Sequence, residues 1–362
     1  MTSQNDSKGG GARSLAELHA LGIMKRMPAS LSLGSTEPVS LPTVQAPSLE
    51  GLTVALVAPG PIDEQSLVER FDSLRRQHAD RRARLAGEAV GPDDEVLLDV
   101  LGFANGRLIP FSARENWRAE VAPDALLPGF FEALVGAKVG QSFGIELQLP
   151  DTYVVESLRG VTARFLLDVK AAAELKLLDD DSPELLKRLG LGTLTDVMAH
   201  LGDTLARERT AEMDRLTQER VLDEVVARTK VTLSPALVDE EIRRRWAEVE
   251  RPMLIRKDFQ PNELQEALEG WLREPLTRAD TERRLTLALA LRAIAARDGV
   301  KLSKGAVDAL VDDLAALSGV SRQDLIRAMR EDNLLAKRVE DLALHFATID
   351  SVMRRVSLTP PT

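Results

Sequence analysis

Residues 126–169 constrain the fold more than any other stretch of the chain. They open with Leu126-Leu127-Pro128-Gly129-Phe130-Phe131 and close at Asp168-Val169. Pro128-Gly129 reads as a tight turn, because proline presets φ and glycine accepts positive φ. A short helix carrying Phe130, Phe131, Leu134 and Val135 follows, with a second turn at Gly136 and Gly140. Two strands come next, over 143–149 and 162–169, each apolar on alternate positions, with Pro150 and Tyr153 in the loop between them. The order predicts a short helix lying across a small sheet.

The flanking chain extends that picture. Residues 1–13 are polar and glycine-rich, Leu15, Leu18, Leu21 and Met24 are spaced as one face of a helix, and 28–50 read as an extended Ser/Pro linker. A strand at 51–59 and a helix over 63–85 follow. The helix carries Val68, Phe71 and Leu74 on one side and Arg70, Arg75, Arg76, Arg81, Arg82 and Arg84 on the other. Such a basic face is more often a solvated surface paired with local acids than a nucleic-acid grip. A strand at 95–101 and an Asn105-Gly106 turn give a hairpin signal.

Beyond residue 182 the pattern turns to long helices. Ser182-Pro183 and Ser234-Pro235 read as N-caps with proline at the first helical position, and Thr193-Leu194-Thr195-Asp196 as a capping box. A helix over 194–230 is apolar at both ends and charged at 206–212, which predicts an arm leaving the body. Pro275 predicts a kink within 261–299.

Composition closes off several functions. Net charge is −10, from 47 basic and 57 acidic residues, which argues against nonspecific nucleic-acid binding. With no cysteine there are no disulfides, thiolate metal sites or thiol catalysis. No signal peptide or membrane span is readable, so a soluble cytoplasmic protein is expected.

The Pro-Gly-Phe turn, the Leu-Val-Gly-Ala-Lys-Val-Gly helix end at 134–140 and the Leu-Pro-Asp-Thr-Tyr loop at 149–153 resemble the second half of an FKBP-type prolyl isomerase domain, most closely that of the trigger-factor family of bacterial folding chaperones. Val231-Thr-Leu-Ser-Pro-Ala-Leu-Val-Asp-Glu-Glu-Ile242, Leu272-Arg-Glu-Pro275 and 289–302 resemble segments of that family's helical chaperone domain. The resemblance covers about 48–358 and implies an α+β fold: an FKBP-like sheet-and-helix domain plus an all-helical chaperone domain with projecting arms. The implied division is a flexible segment at 1–50, a strand and helix linker at 51–90, the FKBP-like domain at 91–174, the chaperone domain at 175–358 and a tail at 359–362. Nothing in 1–47 matches the family's ribosome-docking loop, which counts against ribosome attachment.

The resemblance also implies an activity: ATP-independent binding of unfolded or nascent polypeptides, with catalysis of peptidyl-prolyl cis–trans isomerisation. No cofactor, metal, membrane or specific nucleic acid is called for. Rotation about an X–Pro bond takes ~10–100 s unaided. The planar amide is its more polar state, so an apolar pocket that strips water favours the twisted one. By position, Phe130 matches the aromatic pocket floor, Leu126 and Leu127 its aliphatic lining, Tyr153 the loop tyrosine that donates to substrate, Phe165 a strand phenylalanine and Trp117 a further wall. Val100 stands where the family has Phe or Tyr, and Ile109-Pro110 where it often has an aromatic and an acid. For client binding, Met198, Met213, Trp246, Met253, Leu254 and Trp271 stand out, methionine being adaptable to varied partners. A homodimer is one way to bury apolar arms.

Two rivals deserve statement. The first is a non-enzymatic chaperone or assembly factor whose FKBP-like domain only binds. The second is a serine hydrolase, since Gly140-Gln-Ser-Phe-Gly144 fits a nucleophile elbow, but that motif needs a strand before the serine and a helix after it, and the order here is the reverse. Asp179-Asp180-Asp181 reads as the charged start of a helix.

Overall fold

The computed structural model describes residues 39–58, 60–122 and 127–360. In chain order its elements are β1 (Thr53–Ala55), α1 (Glu64–Gln77), β2 (Asp80–Ala83), β3 (Glu95–Ala104), β4 (Arg107–Leu108), β5 (Arg114–Glu120), β6 (Ser142–Gln148) and β7 (Thr162–Lys176). Helices follow: α2 (Pro183–Leu189), α3 (Leu194–Arg228), α4 (Pro235–Val249), α5 (Arg251–Arg256), α6 (Pro261–Arg273), α7 (Pro275–Asp298), α8 (Lys304–Ser318), α9 (Arg322–Glu331) and α10 (Asn333–Met353), with β8 (Ser357–Thr359) last. The protein is α+β.

The described chain forms two compact units. The first takes 61–207 and 242–278, and the second takes the chain up to residue 60, 208–241 and the chain from 279 onward. This cuts across the sequential division at 90 and 174 expected above, because the helical part contributes to both units. The charged stretch at 206–212 lies where α3 passes from one unit to the other.

In the first unit β3 pairs antiparallel with β7 and, on its other edge, with β5. β7 is long enough to take both β6 and β2 on its far side: Ser142–Gln148 face Thr162–Asp168, and Asp80–Ala83 face Ala173–Lys176. Alternation puts Val96, Leu98, Val100, Phe165, Leu167 and Val169 on one face, buried against Phe130, Phe131 and Leu134. Burying each of these side chains stabilises the unit by roughly 1.5–3 kcal/mol. A separate cluster joins Phe71 of α1 to Leu185, Val197 and Leu201.

The second unit has its own cores. Leu49, Leu52 and Val54 pack on Val221, Leu222 and Val225 of α3, Leu287, Leu291 and Ile294 of α7, and Ile349 and Val352 of α10. Leu310, Val311 and Leu314 of α8 pack on Val339, Leu342 and Ala343 of α10. β1 and β8 pair in parallel, Thr53 opposite Ser357.

Several expectations are corrected. Residues 39–50 are not a free linker, since Leu49 is buried in that core. The helix over 63–85 ends at Gln77, and Arg81 and Arg82 stand on β2, where Arg82 pairs with Glu174 across the strands. The short helix after Gly129 shrinks to a 3-10 turn at Glu132–Leu134, and β7 runs on to Lys176 instead of stopping at 169. Pro275 breaks the helix outright: Glu274 is extended (ψ 116°), as a residue before proline prefers, and Pro275 starts α7 afresh. The apolar spacing at 15–24 and the polar stretch at 1–13 lie outside the described residues.

Candidate functional site

The aromatic cluster of the sheet-bearing unit is the site that the geometry builds. Gly129 (φ +87°) makes the turn that drives Phe130 onto the sheet, and a Cβ there would come within 3.2 Å of Leu147 Cδ2. Phe130 meets Phe165 edge-on with ring centroids 5.3 Å apart, and meets Phe131 edge-on at 5.1 Å. Trp117 closes the group, 6.0 Å from Phe130 and 5.6 Å from Phe131. Leu127 and Tyr153 pack half-buried against the same cluster. Beside Tyr153, Val154 is 71% exposed and forms the rim.

Tyr153 is held by its backbone: its N–H donates to Pro150 O at 2.9 Å, and its carbonyl accepts from Arg159 Nε at 2.9 Å. Its hydroxyl makes no hydrogen bond to any described residue. Burial pushes the phenol up, and the nearby Arg114 cation partly opposes that, so the group is a neutral donor at physiological pH.

The structure thus brings together Phe130, Leu127, Tyr153, Phe165 and Trp117, while Leu126 lies outside the described residues. Val100 and Ile109, where the family carries larger or charged groups, belong to the same core, 4% and 2% exposed. Phe130 and Phe165 are themselves only 2% and 4% exposed, so the floor is covered and the open part is the Trp117–Tyr153–Leu127 side.

Trp117 owes its position to a β-bulge. Leu98 pairs with Trp117 and Val100 with Arg114, two steps on β3 against three on β5. Asn116 absorbs the extra residue at φ +53°, and its N–H donates to Asp99 Oδ1 at 2.8 Å. Asp99, 3% exposed on the reverse face, also takes Lys170 Nζ at 2.6 Å and Lys257 Nζ at 2.8 Å. Burial pushes the Asp99 carboxyl up, but the two ammonium groups and the Asn116 N–H outweigh it and hold it below its ordinary value. Lys257 also pairs with Asp168, directly across from Asp99, so one cation holds two facing carboxylates.

A second buried carboxylate ties the helices to the β4–β5 loop. Glu250, 1% exposed, accepts from Trp271 Nε1 at 2.7 Å, and Trp271 lies against Phe111 with ring centroids 3.9 Å apart. Burial lifts Glu250 to about 7 against the opposing hydrogen bonds from Trp271 and the Phe111 N–H. Sequence reading missed Asp99, Lys257 and Glu250. The signal for Asp99 was there, a lone acid inside the apolar strand Val96-Leu97-Leu98-Asp99-Val100-Leu101.

The proposed client-facing residues fare differently. Trp271 and Leu254 are fully buried, and Met253 and Trp246 are 4% and 6% exposed, so these four are interior packing and not surface. Met198 and Met213 are half-buried, Met198 against the Phe71 cluster. The basic face is likewise satisfied internally: Arg75 pairs with Asp180, Arg76 with Glu120, Arg81 with Glu95, Arg82 with Glu88, and Arg84 with Asp94. A cleft of about 530 Å³ at Arg76, Arg81, Arg118, Glu95 and Glu120 is lined by these pairs. Another of about 460 Å³ is lined by Phe103, Glu146, Arg164 and Leu166. Neither includes the aromatic cluster.

Ser142 opens β6 directly after the Gly140 turn, with strand and not helix following it, so the nucleophile-elbow context is absent. Ser182 caps α2 behind Asp179–Asp181 as expected, accepting from the Leu185 N–H. Among the described residues no group of three or more His, Asp or Glu side chains is placed to hold a metal ion, and no helix is long and apolar enough to cross a membrane.

Fold and site together define an α+β protein in which an aromatic-cored antiparallel sheet shares one chain with long helices. Residues 193–354 match the family model for the bacterial trigger factor protein C-terminus. Trigger factor of Novosphingobium aromaticivorans is 28% identical over 328 residues, spanning 88% of this chain and 61% of that protein. Trigger factor of Gloeobacter violaceus is 29% identical over 327 residues, spanning 88% and 69%. A solved trigger factor chaperone, described for promiscuous substrate recognition in folding and assembly, is matched over 87% of this chain and 73% of that one, at 17% identity and a TM-score of 0.38. The chain is thus similar to the bacterial trigger factors over most of its length. It spans about three fifths of the length of several curated relatives it matches.

Proposed function

We propose that the protein is a cytoplasmic, ATP-independent folding factor that binds unfolded polypeptide and isomerises X–Pro bonds on an FKBP-like domain. The observation that carries this reading is the convergence of Phe130, Phe165, Trp117, Leu127 and Tyr153 in one cluster, with a neutral, unbonded Tyr153 hydroxyl on its open side. A proline ring seated on this apolar surface loses water from its amide, which destabilises the planar, charge-separated form relative to the twisted one. The Tyr153 hydroxyl is placed to donate to a substrate carbonyl and hold the segment. No nucleophile, metal or proton transfer enters such a rotation.

A second reading, a binding module without catalysis, draws on the covered floor: Phe130 is 2% exposed and Val100 is small. Refolding of a client limited by prolyl isomerisation, run beside aggregation suppression of a client without that step, separates the two. The isomerase reading expects acceleration by wild type and a several-fold loss in Tyr153→Phe and Trp117→Ala, with aggregation suppression kept. No acceleration with suppression intact leaves the binding module, and neither effect refutes both.

A further inference from the structure

The bulge at Asn116 does more than place Trp117. Arg114 and Trp117 are three residues apart on a strand, an odd spacing that ordinarily sends side chains to opposite faces. The extra residue at Asn116 returns them to the same face, and the Arg114 guanidinium lies 4.8 Å from the centroid of the Trp117 ring. The directly opposed residue on β3 is Val100, whose short side chain leaves the Trp117 ring as the cation's support.

The guanidinium has no acidic partner among the described residues. In this it differs from Arg76, Arg81, Arg82, Arg84, Arg118, Arg159 and Arg188 of the sheet-bearing unit, which each pair with a carboxylate, and among the described arginines without such a pair it is the one stacked on a ring. A guanidinium resting on a ring keeps its N–H groups in a plane directed outward, the geometry for bidentate capture of a carboxylate. Its field reaches Tyr153 on the other side of the open surface. Trp117, Tyr153 and Arg114 therefore edge one patch with two apolar walls and one fixed cation.

Building on the polypeptide-binding reading above, the geometry points to Arg114 as a specificity determinant that selects segments carrying an Asp or Glu close to the residue seated on the aromatic cluster. The acid is recognised as a carboxylate in an extended chain. An ammonium at the same place is repelled. Ring stacking fixes the cation before binding, so the selectivity comes without ordering a free side chain.

The test uses the full chain and three fluorescently labelled peptides that share one proline-containing sequence and differ only in Glu, Gln or Lys two residues before the proline. Anisotropy titrations at low salt should rank Glu over Gln over Lys, with about fivefold between Glu and Gln. The ranking should compress as salt is raised. Arg114→Gln should level Glu and Gln while binding the Gln peptide as wild type does, and Arg114→Glu should favour Lys. Because Arg114 is exposed, an unchanged unfolding midpoint checks that both variants are folded. Equal binding of Glu and Gln peptides by wild type, or a preference that survives Arg114→Gln, overturns the inference while leaving polypeptide binding standing. Binding of none of the three overturns both.

Discussion

Adding one methyl group to Gly102 and one to Gly202 should move the stability of the sheet-bearing unit in opposite directions. Gly102 sits opposite Phe165 on β3, and a Cβ there would come within 2.8 Å of Phe165 Cε1 and 3.0 Å of Ser112 Cβ. Phe165 has nowhere to retreat, since its ring is already edge-on to Phe130 at 5.3 Å. Overpacking of this kind costs about 1–3 kcal/mol. Gly202 lies inside α3 with nothing within 4 Å of where a Cβ would sit, so Gly202→Ala gains helix propensity alone, about 0.5–1 kcal/mol. All three tryptophans, 117, 246 and 271, belong to the sheet-bearing unit, so their emission reports its unfolding. With a urea slope of about 2 kcal/mol/M, Gly102→Ala should lower the midpoint by about 0.5–1.5 M and Gly202→Ala should raise it by about 0.3–0.5 M. A midpoint for Gly102→Ala equal to or above wild type would refute the packing argument, and a drop for Gly202→Ala would refute the reading of α3.

Asp99→Asn should destabilise the same unit by about 2 kcal/mol, less than for a fully buried pair because Lys170 and Lys257 keep 33% and 25% exposure. Since the fold lowers the Asp99 pKa, its contribution is present above the unfolded value of about 4 and is lost as pH falls through the folded one, so the wild-type advantage over the variant should vanish in acid titrations of the midpoint. Glu250 behaves oppositely. The fold lifts its pKa to about 7, so it stabilises below the unfolded value of about 4.3 and that contribution drains away as pH rises to 7. Glu250→Gln should flatten this loss, about 3 kcal/mol by pH 7, and identical pH profiles for the two proteins would sink the assignment. Ser303→Ala removes the cap that accepts the Ala306 N–H at 3.1 Å and should cost the other unit about 1 kcal/mol, visible by circular dichroism but not by tryptophan emission.

Helix starts were legible because caps are local. Thr193 and Asp196 exchange the expected bonds, the Thr193 N–H to Asp196 at 3.0 Å and the Asp196 N–H to Thr193 Oγ1 at 3.1 Å. The strands on either side of the 149–153 loop were legible from alternation and the two turns before them, although the helix expected across the sheet is only a 3-10 turn at Glu132–Leu134. What the chain did not disclose depends on partners far along it. Lys170-Ala-Ala-Ala-Glu-Leu-Lys176 has the composition of a helix, yet it is strand because Asp80–Ala83 and Glu95–Leu97 pair with it. The bulge at Asn116 exists because Asp99 takes its N–H, and Asp99 is tolerable inside because Lys257 arrives from a distant helix end. The tryptophans misled for the same reason, since an aromatic at helical spacing is equally suited to a client surface and to the floor under Phe111. Of the site, the hydrophobic members were readable by resemblance, and Arg114 was not, because its face follows from the bulge.

The parallel pairing of Thr53–Ala55 with Ser357–Thr359 sets a timetable. Leu49, Leu52 and Val54 are made about 300 residues before the Ile349 and Val352 that cover them. At about 5–20 residues per second that interval lasts about 15–60 s, and over its last stretch, from residue 278 to 349 and about 4–14 s long, the sheet-bearing unit has all its residues while the other still lacks part of its core. For that time the newborn chain carries an uncovered apolar surface beside a finished domain, and so passes through the condition of the unfolded clients it is proposed to bind.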